Sequence, residues 1–328
     1  MNSDLDQRKL ELQHWVSGYL GRPVEGVSAS SDASFRRYFR FADGAGSLVA
    51  MDAPPEHEDC RPFIEVAKLL AAANINVPKI LAEDLDQGFL LLSDLGMWTW
   101  LDVLNEGNAD SLFALAISTL LQIQTIDARK VVPEYDRTVL HRELELFPEW
   151  YVERHLGLKV DSSLREQLDD VFELLVVNAL KQPQVFVHRD FMPRNLMHSK
   201  LNPGVLDFQD AVRGPITYDP VCLFKDAFIS WPEPRVQGWL QCYWQRAQDT
   251  GLPVPASFEE FQFDCDLMGV HRHLKVIGIF ARICYRDGKI RYLEDTPRFF
   301  QYLNTAIERQ PKLNILKNLL SNIEQLRK

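Results

Sequence analysis

Residues 185–210 read VFVHRDFMPRNLMHSKLNPGVLDFQD, and the reading of this stretch decides how the rest of the chain is understood. The apolar run Val185-Phe186-Val187 is strand-like and delivers His188, Arg189 and Asp190 into a loop; Asn195 follows within it, and a second apolar pair, Val205-Leu206, ends on Asp207-Phe208. Two carboxylates and an amide are therefore carried at or just beyond the ends of buried strand-like segments. Phosphoryl transfer needs that set: one aspartate to accept the proton of an attacking hydroxyl, an asparagine and a second aspartate to hold Mg²⁺ on the nucleotide phosphates. A polar turn rich in capping residues is the plainer reading of any one of these residues, and only their joint spacing between strand-like flanks argues against it.

The joint pattern resembles the kinase signature His-Arg-Asp-x4-Asn followed by Asp-Phe. On that reading Asp190 is the catalytic base. Asn195 and Asp207 are the Mg²⁺ ligands, hard oxygen donors of the kind this ion takes, and Asn195 thereby also faces the nucleotide.

Composition sets the frame. The chain has 328 residues, 46% of them hydrophobic and 25% charged, which is ample for a globular core in two lobes. The net charge of −10 argues against a nucleic-acid surface, which needs a basic field, yet leaves room for ATP, whose phosphates Mg²⁺ and a few arginines neutralise locally. Five scattered cysteines with no Cys-x-x-Cys argue against a disulfide framework or zinc site and for a reducing compartment. The first twenty residues carry Asp4, Asp6, Arg8, Lys9 and Glu11, unlike a signal peptide, and no stretch approaches the ~20 apolar residues of a membrane span. A cytoplasmic protein with no membrane partner is expected.

Outward from the central stretch, the spacing predicts a helix over 5–20 stopped by Gly21. A Ser-rich turn and strand follow over 28–41, with Phe35, Arg37, Phe39 and Phe41 on one face, then a strand over 47–51 and a helix over 61–73 with Pro62 in its first turn. Strands at 79–82 and 89–92 lead to a linker at 93–96. Beyond it helices are expected over 111–126, 142–156, 164–180, 218–229, 236–248, 258–285 and 296–326, the last broken by Pro311.

The central stretch, together with Gly214-Pro215-Ile216-Thr217-Tyr218-Asp219-Pro220, resembles the aminoglycoside-phosphotransferase-like family of small-molecule kinases over about residues 28–296. The resemblance implies an α+β, protein-kinase-like fold of two lobes. The expected division is a small, mainly β nucleotide-binding N-lobe at 1–95 and a larger, mainly α C-lobe at 96–328 holding the catalytic loop and substrate pocket. It also implies ATP and Mg²⁺ as cofactors, and Asp219 as a residue that braces the catalytic loop through backbone hydrogen bonds. Within the family, residues 31–40, 51–55 and 188–197 look most like the branch of bacterial cell-wall recycling that phosphorylates the C1 hydroxyl of N-acetylmuramate and N-acetylglucosamine.

One departure from the kinase pattern stands out. Where Val-Ala-Ile-Lys supplies a phosphate-binding lysine, this chain has Val49-Ala50-Met51-Asp52. Arg37 is the expected replacement cation, paired with Asp52 or with Glu65 on the following helix. Ser31 and Ser34 are expected at the phosphates, Val49 and Ala50 at adenine, and Ser93, Asp94 and Leu95 at the linker that offers adenine its backbone groups. Sugar contacts are sought in Glu149, Trp150, Tyr151 and Arg154, and in Asp264, His271, Arg272, His273, Lys275, Arg282 and Tyr285. A lactyl carboxylate would need a cation there, and Arg282 is singled out. Arg194 is left between loop bracing and phosphate or sugar contact, and Asp210 between a third site acid and a solvated turn.

Two further readings stay open at this point. One is another small-molecule kinase of the same fold, of aminoglycoside or choline type; the other is a non-catalytic pseudokinase that binds without turnover. Oligomeric state is not legible.

Overall fold

The computed structural model describes residues 2–30, 35–201 and 203–327. The chain forms two compact units, Met1–Trp100 with Leu196–Asp210, and Leu101–Asn195 with Ala211–Lys328. The division expected from the sequence makes each lobe one continuous stretch split after Leu95, whereas residues 196–210 go with the first unit.

The first unit opens with helix α1 (Asn2–Leu20) and continues through β1 (Val27–Ser30), β2 (Arg37–Asp43), β3 (Gly46–Asp52), α2 (Arg61–Ala72), β4 (Ile80–Asp84) and β5 (Phe89–Ser93). The strands make one antiparallel sheet in the order β1-β2-β3-β5-β4. β2 and β3 join through Gly44-Ala45, and Gly44 takes φ 58°, as a tight hairpin turn requires. Strand alternation does the rest. Phe39, Phe41, Ala50, Phe89 and Leu91 point to one face and pack on Leu12, Val16 and Trp15 of α1, so the opposite face carries Arg40, Val49 and Met51.

Residues 196–210 are tied to this unit by backbone bonds, Val205 N to the Asn76 carbonyl at 2.7 Å and His198 N to the Trp98 carbonyl at 2.8 Å. Phe208 is buried against Phe63 of α2 at a ring separation of 4.9 Å. The first unit thus carries Asp207.

Helix α3 (Trp100–Val103) leads into the second unit, which contains α4 (Ala109–Gln124), α5 (Arg137–Leu144), α6 (Ser162–Lys181), β6 (Gln184–Val187), α7 (Tyr218–Phe224), α8 (Glu233–Asp249), α9 (Phe258–Asp287), α10 (Arg291–Glu294), α11 (Thr296–Arg309) and α12 (Asn314–Arg327). β6 pairs antiparallel with residues Val212–Pro215. Helix α9 runs 30 residues, capped by Ser257 at one end and by left-handed Gly288 at the other, and its middle is buried on every side. That is why His271, Arg272 and His273 are all interior: α9 is the helix around which the others pack.

The chain departs from the periodicity in three places. The helix expected over 142–156 begins at Arg137, capped by the Asp136 side chain on Val139 N at 2.9 Å, and gives way to a wide π-helical segment at Phe147–His155. The helix expected over 218–229 stops at Phe224, because the Asp226 side chain takes the N–H groups of Phe228 at 2.6 Å and Ile229 at 2.9 Å that a further turn would need. Phe35 is left off the buried face of β2; it is exposed and stacks on His57 at 4.5 Å.

Candidate active site

In the second unit, β6 ends at Val187 and the chain turns sharply. Arg189 takes φ 74°, a left-handed value that costs a β-carbon residue energy and persists only where surroundings impose it. Asp219, fully buried in the first turn of α7, does so from below: its two carboxylate oxygens accept the backbone N–H of His188 at 2.7 Å and of Arg189 at 3.0 Å. The Cys222 thiol, one turn on, donates to the Arg189 carbonyl at 3.4 Å. Burial pushes the Asp219 carboxyl up to about 7, against the two backbone N–H bonds that favour its ionised form.

The loop closes on itself beyond Asp190. The Asp190 carbonyl accepts both Met192 N and the side-chain Nδ2 of Asn195, each at 2.9 Å, and Asp190 N donates to His188 Nδ1 at 3.3 Å. Because Asn195 spends its amide nitrogen on that carbonyl, it turns its oxygen the other way, the atom a hard cation takes. Arg194 lies over the ring of Phe228 at 5.2 Å.

In the first unit, Asp207 also takes a left-handed φ of 64°, and its Oδ1 accepts Gln209 Nε2 at 2.8 Å; the same amide reaches Asp210 Oδ2 at 3.5 Å. A carboxylate and an amide oxygen fit what Mg²⁺ asks of its ligands, so the donor chemistry of Asp207 and Asn195 suits that ion.

The nucleotide-side candidates fare unevenly. Arg37 pairs with Asp52, its Nε 2.9 Å from Oδ2, and not with Glu65, which stands on the exposed side of α2. Asp52 is fully buried and shared with Arg8 of α1, whose Nε lies 3.0 Å from Oδ1. This triad sits on the α1 face of the sheet. Ala50 is on that face too, under Leu12 and Val16, whereas Val49 is on the other; one adenine cannot lie against both, and α1 occupies Ala50's side. Ser93 Oγ accepts Lys79 N at 2.8 Å, and Asp94 is held by Arg40 at 2.5 Å, Ser47 at 2.7 Å and Gly96 N at 2.9 Å. Burial pushes the Asp94 carboxyl up, but these bonds outweigh it and hold it below the usual range. Leu95 packs where a β-carbon on Gly204 would strike it. Ser31 and Ser34 lie outside the described residues.

Comparison with known proteins now bears on this geometry. Residues 25–261 match the family model described as the phosphotransferase enzyme family. The chain is 61% identical over 303 residues to the N-acetylmuramate/N-acetylglucosamine kinase of Pseudomonas aeruginosa, covering 92% of this chain and 90% of the relative. It is 59% identical to the kinase of the same name from Pseudomonas putida, covering 91% and 88%. The chain belongs to the phosphotransferase enzyme family. It superposes on a choline kinase from Streptococcus pneumoniae with a TM-score of 0.66 at 14% identity, over 91% of this chain and 99% of that one, so the fold is the α+β, protein-kinase-like one that the resemblance implied. The protein is an ATP-dependent kinase with a hydroxyl acceptor.

In this kinase the side chain of Arg189 is gripped from above as the backbone is from below. Glu143, a buried residue of α5, accepts the Arg189 guanidinium on Oε1 and the Tyr135 hydroxyl on Oε2, and Lys275 of α9 lies 2.9 Å from the same Oε1. Lys275 continues to the Tyr218 hydroxyl at 3.1 Å, beside Asp219. Burial pushes the Glu143 carboxyl up, but Lys275, then Arg189, outweigh it and hold it at about 2. Glu143 was not visible as a site residue in the sequence; its only local signal is a lone acid on the apolar face of a short helix.

The acceptor-side candidates divide. His271 is a core residue: its Nε2 meets the Leu140 carbonyl at 3.1 Å, and burial pushes its proton affinity down to about 4. His273 is buried against Tyr302 at 4.9 Å, and Asp264 is tied to Asn178 Nδ2 at 2.7 Å. Tyr285 bonds His155 Nδ1 at 2.9 Å and lies under Arg154 at 5.8 Å. Glu149 is exposed and Trp150 half-buried on the π-helical segment; Arg282 is half-buried on α9, where Glu149 acts on it electrostatically.

Proposed function

We propose that this kinase phosphorylates the anomeric C1 hydroxyl of N-acetylmuramate and N-acetylglucosamine, using MgATP, to give the sugar 1-phosphate in cytoplasmic recycling of the bacterial cell wall. The observation that carries the substrate class is the name shared by relatives that match this chain over nine-tenths of its length. The choice of hydroxyl is chemical. N-acetylmuramate bears its lactyl ether on O3, so an enzyme serving both sugars is confined to hydroxyls they share. Of these, C1 belongs to a hemiacetal and is the most acidic. A carboxylate is a weak base, and an acidic hydroxyl is the acceptor it can serve.

In this reading Asp190 accepts the hydroxyl proton as the γ-phosphoryl group transfers. Asp219 and Glu143 fix Asp190 through Arg189, because a small displacement of the base costs the rate heavily. Asn195 and Asp207 hold Mg²⁺, which when bound neutralises phosphate charge. Val49, Ser93, Asp94 and Leu95 are assigned to the nucleotide through the sheet face and linker; Ala50 is not, since α1 covers it. Arg194 is assigned to the acceptor side, where it already stacks on Phe228.

The test is phosphorus NMR of ATP, Mg²⁺ and each sugar with the enzyme. An acid-labile anomeric phosphate doublet, absent with Asp190→Asn, is expected. A product phosphorylated at C6, or turnover of amino-sugar antibiotics or choline in place of N-acetylated sugars, would overturn the assignment.

A further inference from the structure

Arg272, in the middle of α9, is an arginine only 2% exposed. Among the described residues its guanidinium makes one hydrogen bond, from Nη1 to the Lys225 carbonyl at 3.3 Å, and no ion pair. Two less buried arginines of the same unit are each paired with acid, Arg189 with Glu143 and Arg309 with Glu233 and Asp266. A cation at a helix C-terminus is favourable, and Lys225 caps α7, but one long bond uses a single donor of the guanidinium fork at a place almost closed to water.

The surroundings of Arg272 are acidic. Helix α9 packs along α7, with Lys275 on the Tyr218 hydroxyl at 3.1 Å at one end and Arg272 on the Lys225 carbonyl at the other. Between these two contacts stand Asp219 and Cys222, the residues of α7 that hold the catalytic loop. Directly after α7 comes Asp226, fully buried, with Oδ1 taken by the N–H groups of Phe228 and Ile229 and, among the described residues, no partner on Oδ2. Asp190 and Asp219 oppose each other as like charges. Of the cations nearby, Arg189 and Lys275 are taken by Glu143 and Lys225 by Asp266, which leaves Arg272 to face Asp190, Asp219 and Asp226. Burial pushes the Asp219 carboxyl up to about 7 and the Asp226 carboxyl up as well, and Arg272 draws both back toward ionisation. His271 and His273 flank Arg272 on α9 and Tyr302 comes from α11; burial keeps all three neutral.

We propose that Arg272 is a positioning residue for phosphoryl transfer: its buried charge offsets the crowding of Asp190, Asp219 and Asp226, so that Asp190 stays ionised and in place at the reaction. The inference rests on the reading of Asp190 as the base. Without the cation, like charges around one loop would be relieved by protonation, and a protonated Asp190 cannot take up the hydroxyl proton.

The experiment measures kcat between about pH 5 and 9 at saturating ATP, Mg²⁺ and N-acetylglucosamine for wild type, Arg272→Met, Arg272→Lys and Asp226→Asn, with thermal midpoints alongside. Arg272→Met is expected to move the acid limb of the profile up by about one pH unit, so that kcat falls about tenfold on that limb and much less at high pH. Arg272→Lys, which keeps the charge, should hold the limb within about 0.3 unit of wild type. Asp226→Asn keeps the oxygen that caps Phe228 and Ile229 but removes an acid, and should move the limb the other way by about half a unit. If Arg272→Met does not fold, Asp226→Asn decides alone. A limb unmoved by these variants, or losses in Arg272→Met that are equal at every pH, would overturn the proposal, the latter by showing a merely structural role. If wild type does not turn over the sugar, or Asp190→Asn keeps the wild-type rate, the underlying reading fails and the inference with it.

Discussion

Two buried charge clusters in this kinase have the same make-up and opposite consequences. In the second unit Glu143 sits between Arg189 and Lys275; in the first, Asp52 sits between Arg37 and Arg8. Each is one carboxylate bridging two cations from different elements, and each leaves a net positive charge. The difference is what the cations are attached to. Arg189 is the residue before Asp190, the proposed base, and is held in a left-handed conformation, so Glu143 acts one covalent step away from it. Arg37 and Arg8 begin a strand and lie on α1, on the sheet face that α1 covers, so Asp52 fastens a helix to a sheet. On the proposed assignment the same electrostatic motif is a positioning device in one place and a structural tie in the other, and charge alone would not tell them apart.

The comparison can be broken by substitution, starting with the largest effect. Asp190→Asn sets the scale: kcat should fall by about 10²- to 10⁴-fold with the thermal midpoint nearly unchanged, as expected of a general base. Glu143→Gln should lower kcat by about 10- to 100-fold while KM for ATP moves little, because the loop is displaced and the nucleotide residues are not. A double-mutant cycle with Arg189→Gln should be far from additive; additive losses would mean that Glu143 does not work through Arg189.

Asp52→Asn should do the reverse, costing about 3 kcal/mol in chemical denaturation while turnover per folded molecule stays within about twofold. Arg37→Ala should follow Asp52, with a stability loss and little change in KM for ATP. A clear rise in KM at unchanged stability would instead restore Arg37 to the phosphates and spoil the contrast.

The smallest expected effect is in pH. Glu143 is held at about 2, below its ordinary 4.5, so its contribution to stability is present above pH 4.5 and is lost as pH falls toward 2. Asp219 is pushed from 3.8 to about 7; the folded state then binds a proton that the unfolded chain has released, and stability falls as pH rises from about 4 to 7. Midpoint–pH curves of wild type and Glu143→Gln should therefore keep a constant gap above about pH 4.5 and converge as pH falls toward 2. A gap that stays open down to pH 2 would show that Glu143 is not the ionised partner the geometry requires.

Much of this was legible in the chain itself. His188, Arg189, Asp190, Asn195 and Asp207 lie within 26 consecutive residues, and local spacing alone marks them as a phosphoryl-transfer set. The helices from 111 onward follow from their periodicity, and the Pro311 break falls where Pro311–Leu313 interrupts α11 and α12. Other features were not legible. Glu143 is 46 positions from Arg189, and Arg8 is 44 from Asp52, so neither pairing leaves a trace in any local window. Asp226 ends α7 early through its side chain, where apolar spacing favoured continuing the helix.

The sequence by itself determined the reaction type, because the groups that move a phosphoryl group must sit on one short loop and its flanking strands, and such groups are near neighbours in the chain. Only the tertiary structure decided which charges serve that loop. Side-chain direction on a strand flips with every residue, and it took the packing of α1 to show that Ala50, Asp52 and Arg37 share the covered face. Burial in turn sets what a charge must find as a partner: Glu143 finds Arg189 and Lys275, and Asp52 finds Arg8 and Arg37.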